Sequence, residues 1–251
     1  MISFRWTAST EALATIASVW LLVARVILAP AEHWERRRAV NTQELFDTYV
    51  FELDWNTSIA GRPPAEENIA KAAANMGRPA PTDWYTDTED LPRPLDVVLS
   101  QRSSAVWGRG THLAYAITLA GIGAGLLVAG VTIAAVADVS LNDYLLRLFL
   151  PTVPALLDTI DLSRLHWSTS HQKGRIETAA DDLWEAGLQD LAAVTPADCR
   201  RLQDQSYRLR LDCPRVAYWL YKARRDSDDR AMRAAVAQRL AEYRQAHPGD
   251  A

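Results

Sequence analysis

The chain has 251 residues, with 27 basic and 31 acidic side chains and a formal net charge of −4. This balance argues against a duplex-DNA-binding protein, which presents a strongly basic face to the phosphates. Its two cysteines, Cys199 and Cys213, lack the CxxC or Cys/His spacing of a zinc site. We therefore expect free thiols in a reducing compartment.

An apolar stretch at residues 12–31 predicts a first transmembrane helix, for which we set bounds of residues 8–31. Its charged residue, Arg25, lies near enough to the end for the side chain to reach the membrane interface. Trp34 and three arginines at 36–38 follow, and the positive-inside rule places such a flank in the cytosol. A cleaved signal peptide is the alternative, but its positive cluster would precede the apolar stretch.

Residues 32–112 are expected to form a cytosolic region of helices and loops. Asn41 followed by Glu44 has the spacing of a helix N-cap with its reciprocal acid. Six prolines later in the region exclude long regular elements, which leaves short helices such as residues 65–75. A last helix around residues 95–107 is expected to run into the next apolar stretch.

The strongest membrane signal is the uncharged stretch at residues 113–137. A helix of this length rises about 37 Å, enough to cross a hydrocarbon core of roughly 30 Å. A buried helix of a soluble core, the alternative, is usually shorter and interrupted by polar positions. Gly121, Gly125 and Ala129 recur at four-residue spacing and form a ridge of small residues suited to close helix packing in lipid, although ordinary small residues would look the same.

A further apolar segment, residues 144–162, is expected to be the second arm of a transmembrane hairpin at residues 113–162. Its charges would then face protein or water, and its prolines would kink it. A re-entrant or interfacial helix is the alternative. Arg147 and Asp158 are eleven residues apart and fall near one face, so in an oligomer they could ring a water-filled path. The polar and helix-breaking residues of the segment are Arg147, Pro151, Pro154, Asp158 and Asp161.

The turn between the two arms, residues 137–143, contains two aspartates and no lysine or arginine, which predicts that it faces outward. Residues 163–251 then return to the cytosol, where apolar residues at helical spacing predict amphipathic helices, among them 198–211 and 228–247. The sequence therefore predicts an all-α, multi-pass membrane protein whose soluble residues are mostly cytosolic.

Sequence motifs of catalysis are absent. Gly121, Gly123 and Gly125 imitate a dinucleotide-binding loop, but no strand precedes them. His166 and His171 are five residues apart, off a common helix face, so we expect no metal site. We predict a protein that is not an enzyme and has no cofactor.

Four residues are candidates for binding a ligand with phosphates and bases. Arg102 could meet a phosphate, and the rings of Trp84, Tyr85 and Trp107 could stack on bases. The favoured alternative is that these aromatic residues pin the cytosolic region to the ends of the membrane helices.

The string TQELFDTYVFELDWN, which ends at Asn56, resembles a signature of the SMODS-associated four-transmembrane (S-4TM) family. The matched motif residues are Phe46, Asp47, Trp55, Asn56, Gln101 and Arg102. Asp83-Trp84-Tyr85, Trp107, Pro214-Arg215-Val216 and Trp219 follow in the same order. The resemblance covers roughly residues 12–245.

This resemblance implies a pore-forming effector of a nucleotide-signalled antiphage system (CBASS) in the bacterial inner membrane. A SMODS-class nucleotidyltransferase would supply a cyclic or linear oligonucleotide, and the effector, expected to be a homo-oligomer, would disrupt the membrane in abortive infection. Family members have two spans before the motif and this sequence has one, which implies a chain shortened at its N-terminus, through either a misassigned start or a truncated gene. A membrane-anchored scaffold that recruits a partner through the C-terminal helices is the alternative function.

Overall fold

The computed structural model describes residues 15–16, 18–20, 22–75, 85–88 and 91–248. Every regular element in these ranges is a helix, so the all-α prediction is confirmed. The chain divides into two compact units, residues 1–77 and 78–251.

The first unit is built on helix α1, Ala29–Phe51, which continues from a π-helical turn at Ala24–Leu28. Two short helices follow, α2 at Thr57–Ala60 and α3 at Glu66–Ala74. Helix α3 matches the helix expected at residues 65–75.

The helix start predicted at Asn41 is wrong, because α1 begins twelve residues earlier and Asn41 lies within it. The intervening alanine, glutamate and arginine residues are good helix formers, and they extend the helix past the local cap signal. Asn41 instead donates its side-chain amide to the carbonyl of Ala60, 3.5 Å away, which ties α2 to α1.

The predicted first transmembrane helix lies partly outside the described residues, since 8–14, 17 and 21 are not among them. The described residues of 22–31 are helical and mostly exposed. The first span therefore stays a prediction.

The second unit is organised by a long antiparallel hairpin. Its arms are α4, Leu95–Val136, and α5, Leu150–Gln189, and a π-helical segment at Tyr144–Phe149 leads into α5. The hydroxyl of Ser163 donates to the carbonyl of Ala116 at 2.9 Å and fixes the register of the two arms.

Helix α4 joins the expected soluble helix and the uncharged stretch without a break. Among the described residues it is the helix that is long and apolar enough to cross a membrane, and most of its apolar stretch is exposed in the single chain. The second arm pairs with it along this stretch, because Thr159 of α5 lies beside Gly123 of α4.

Two further helices, α6 at Pro196–Asp212 and α7 at Tyr218–Ala246, pack beside the base of the hairpin. Helix α6 agrees with the expected helix at residues 198–211. Helix α7 begins ten residues before the expected start at Asp228. Arg224 donates to Asp228, one turn later, at 3.1 and 3.0 Å, which adds support to this earlier part of the helix.

Candidate functional site at the base of the helical hairpin

An ion network joins three helices at the base of the hairpin. Arg102 of α4 donates to Asp181 of α5 through Nε at 2.5 Å. Arg239 of α7 donates to the same carboxylate at 2.8 Å. Glu177, one turn before Asp181, pairs with Arg109 of α4 at 2.6 Å. The network holds α4, α5 and α7 in one arrangement.

Arg102, one of the four residues predicted to bind a ligand, has partners within the protein. Its side chain is 14% exposed, and its guanidinium is engaged by Asp181 and lies 3.8 Å from Glu177. Trp107 packs edge-on against Tyr221 of α7, with ring centroids 5.4 Å apart. Tyr85 is partly buried, and Trp84 lies outside the described residues.

A chain of polar side chains, which includes two buried histidines, lies where α4 enters its uncharged stretch and was not anticipated from the sequence. The Nδ1 atoms of His112 and His166 are 2.8 Å apart. The Sγ atom of Cys213, in the loop between α6 and α7, lies 3.0 Å from Nε2 of His112. Burial lowers the pKa of His166 to about 4, so its imidazole is neutral at physiological pH. These polar contacts link both arms of the hairpin to the α6–α7 loop, and His166, the histidine of α5, carries no charge in them.

Lys173 lies next to this chain and crosses Gly108 of α4. A Cβ atom on Gly108 would stand 2.6 Å from its Nζ, so the glycine provides the space for the amine. Burial lowers the pKa of Lys173, and the nearby Cys213 opposes that shift. Within the part of the chain that the structure describes, no group of three metal-ligating side chains converges.

Gln101, one of the motif residues, is buried between α4 and α6. Its amide donates to the carbonyl of Cys199 at 3.0 Å and to the side chain of Gln203 at 3.1 Å. Burial raises the pKa of the Cys199 thiol to about 12, so this cysteine is protonated and unreactive. Gln101 therefore has a structural role in the base of the second unit.

The remaining motif residues belong to the first unit. Asp47 is fully buried in α1, whereas Phe46 is 44% exposed. Trp55 donates its indole N–H to the carbonyl of Gly61 at 2.7 Å. The side chain of Asn56 caps α2 by accepting from the backbone N–H of Ser58. These contacts shape the α1–α2 connection.

The predicted packing ridge faces away from the partner arm. Gly121, Gly125 and Ala129 are exposed, and no described atom outside their own helix lies within 4 Å of a Cβ placed on either glycine. Gly123 and Gly130 face the second arm instead, beside Thr159 and Tyr144.

The two charged residues predicted to line a path are both exposed. Arg147 is 81% exposed and pairs with Asp143, one turn earlier, at 3.0 Å. Asp158 is exposed on α5, and Asp161 lies one turn further on the same side. Arg147 is thus neutralised within the hairpin, whereas neither aspartate has an ion-pair partner among the described residues.

The family model described as "SMODS-associating 4TM effector domain" matches residues 1–239. A protein of Bacillus cereus (strain VD146), named "Probable CBASS effector molecule", is 23% identical over 223 residues, which cover 86% of this chain and 74% of that protein. No solved structure matches the chain.

Proposed function

The chain belongs to the SMODS-associating 4TM effector domain family, and we propose that it forms a homo-oligomeric pore in the bacterial inner membrane during antiphage defence. The name of the Bacillus cereus relative supports the effector role. The signal would be a cyclic or linear oligonucleotide, and no catalytic step is assigned to the chain. Most soluble residues would lie in the cytosol.

One observation supports a pore above all: two carboxylates lie on the exposed side of the hairpin, beside the uncharged stretch proposed to cross the membrane. Ser163 lies opposite Ala116 and Thr159 beside Gly123. Asp158 and Asp161 therefore stand level with the uncharged stretch of α4. An ionised carboxylate facing lipid is costly, so these side chains need water or another protein surface.

An oligomer would meet that requirement. The open ridge of Gly121, Gly125 and Ala129 suits close approach by a helix of another copy. Copies packed through this ridge could turn the Asp158 and Asp161 side of α5 toward a shared aqueous path. Because Arg147 already pairs with Asp143, the net charge of that path would be negative.

The test uses the full chain reconstituted in vesicles that hold a self-quenched dye, challenged with a panel of cyclic and linear oligonucleotides. We expect at least one oligonucleotide to release the dye. An intact barrier with every oligonucleotide would remove the pore, and it would leave the membrane-anchored scaffold as the better function.

A further inference from the structure

Helix α7 starts at the edge of the membrane stretch of α4 and runs away from it. The ring of Trp219 lies 6.5 Å from that of Tyr115, two residues inside the uncharged stretch. Two residues later in α7, Tyr221 contacts Trp107, which lies before that stretch. Near its other end, Arg239 reaches the ion network at Asp181. The first turn of α7 is therefore the part of the helix nearest to the bilayer.

Large aromatic side chains are exposed at this level. Tyr218 is 73% exposed and Trp219 is 57% exposed. On α5, Trp167 is 48% exposed, next to the buried His166. Exposed aromatic rings at the end of an apolar span are typical of the boundary between water and lipid headgroups.

Two exposed cations at the same level lack carboxylate partners. Arg215, in the loop before α7, and Lys222, in its first turns, are both exposed. Neither has a carboxylate partner among the described residues. Further along α7, by contrast, Arg224 and Arg225 pair with Asp228 and Asp229. Unpaired cations beside aromatic rings match anionic phospholipid headgroups in charge and in position.

We propose that the start of α7 is a second membrane contact, a docking surface for anionic phospholipid headgroups of the cytosolic leaflet. This interfacial patch consists of Tyr115, Trp167, Arg215, Tyr218, Trp219 and Lys222. The assignment rests on the proposed function, because it requires the hairpin to lie in the bilayer. Through Arg239 and Asp181, the docked helix would hold the base of the hairpin at a fixed height above the membrane.

The test places a photoreactive residue at single positions of the full chain, reconstituted in vesicles with or without phosphatidylglycerol. A photoreactive residue in place of Tyr218 should crosslink to phospholipid about tenfold more than one in place of Arg233, four turns further along α7. R215Q/K222Q should reduce the yield at position 218 in phosphatidylglycerol vesicles to the level seen in phosphatidylcholine. R230Q/R233Q, which removes two exposed cations far from the patch, should leave it unchanged.

Equal yields at positions 218 and 233, or no difference between the two lipids at position 218, would overturn the docking surface. A photoreactive residue in place of Leu126, in the apolar stretch of α4, separates this failure from failure of the membrane hairpin. Crosslinking at 126 without crosslinking at 218 rejects the docking surface alone. Absence of crosslinking at 126 rejects the embedded hairpin and the docking surface together. Since no oligonucleotide is added, pore opening does not affect these results.

Discussion

Asp198 holds the first turn of α6 through a capping box. The hydroxyl and the backbone N–H of Thr195 donate to Oδ2 of Asp198 at 2.6 and 2.8 Å, and the guanidinium of Arg201 donates to Oδ1. The hydrogen bond from the Thr195 hydroxyl is the largest cause that lowers the pKa of Asp198 below its ordinary value of 3.8. The carboxylate therefore stabilises the fold above about pH 4, and this contribution is lost as the pH falls through the lowered pKa.

We expect Asp198→Ala to reduce the free energy of unfolding by about 1 kcal/mol at neutral pH, the usual effect of losing a cap. The deficit should shrink below pH 4, which thermal unfolding in detergent followed by circular dichroism can measure. Asp226→Ala, at an exposed position of α7, is the control and should have little effect at either pH. A deficit of the same size at pH 3 and pH 7 would contradict the assigned role of the carboxylate.

Gly187 permits the end of α5 to pack against Leu95. A Cβ atom there would lie 2.5 Å from Cδ2 of Leu95 and 3.1 Å from Val194, both in the core. Gly187→Ala should therefore cost about 1–3 kcal/mol of unfolding free energy. Gly174→Ala, on the same helix, meets only the flexible Arg109 side chain at 3.6 Å and should be neutral or stabilising by up to about 1 kcal/mol. Equal stability of the two variants would show that the contact with Leu95 is not restrictive.

The contacts between buried residues at the base of the hairpin could not be predicted from the sequence. His166 was considered with His171 because the two are close in sequence, yet His171 is exposed and His166 contacts His112, 54 residues away. Such a contact depends on the register of two long helices. Gln101 was identified as a motif residue, but its partner Gln203 comes from a helix whose position the sequence does not specify.

Among the helices, α4 could be predicted because its apolar, uncharged pattern extends over many residues. The absence of charge and the length of residues 113–137 predict a helix that can span a membrane, and α4 contains all but the last of these residues. The starts of α1 and α7 lie upstream of the predicted ones, because the cap spacing at Asn41 and the apolar pattern from residue 228 do not register the helix formers before them. Local residue patterns thus locate the start of a helix less reliably than a long apolar stretch predicts that a helix exists.

The second arm gives a prediction about ion selectivity. If Asp158 and Asp161 line the path, their carboxylates should favour cations over anions. D158N/D161N should lower the cation preference, measured as a shift of the reversal potential toward zero in a salt gradient across a planar bilayer. D212N/D226N, at exposed positions outside the hairpin, is the matched control and should leave the potential unchanged. An unchanged potential in D158N/D161N would exclude these residues from the path.

At the scale of the whole molecule, the hairpin and its soluble helices form one connected unit. The Arg102–Asp181–Arg239 contacts and the His112–Cys213 contact both join the hairpin to elements outside it. A ligand that moves α7 or the α6–α7 loop would therefore act directly on the arms of the hairpin. This connection is the physical basis for proposing that a signal outside the membrane opens a path within it.

The proposed pore requires the hairpin to cross the bilayer with its turn on the far side, and cysteine labelling reports the side on which the turn lies. A137C, in the exposed turn, and A231C, exposed on α7, are labelled with a membrane-impermeant maleimide in spheroplasts. We predict that A137C reacts in intact spheroplasts, whereas A231C and the unmodified chain react only after permeabilisation. If A137C also requires permeabilisation, the turn has not crossed the membrane and the hairpin is not a transmembrane element.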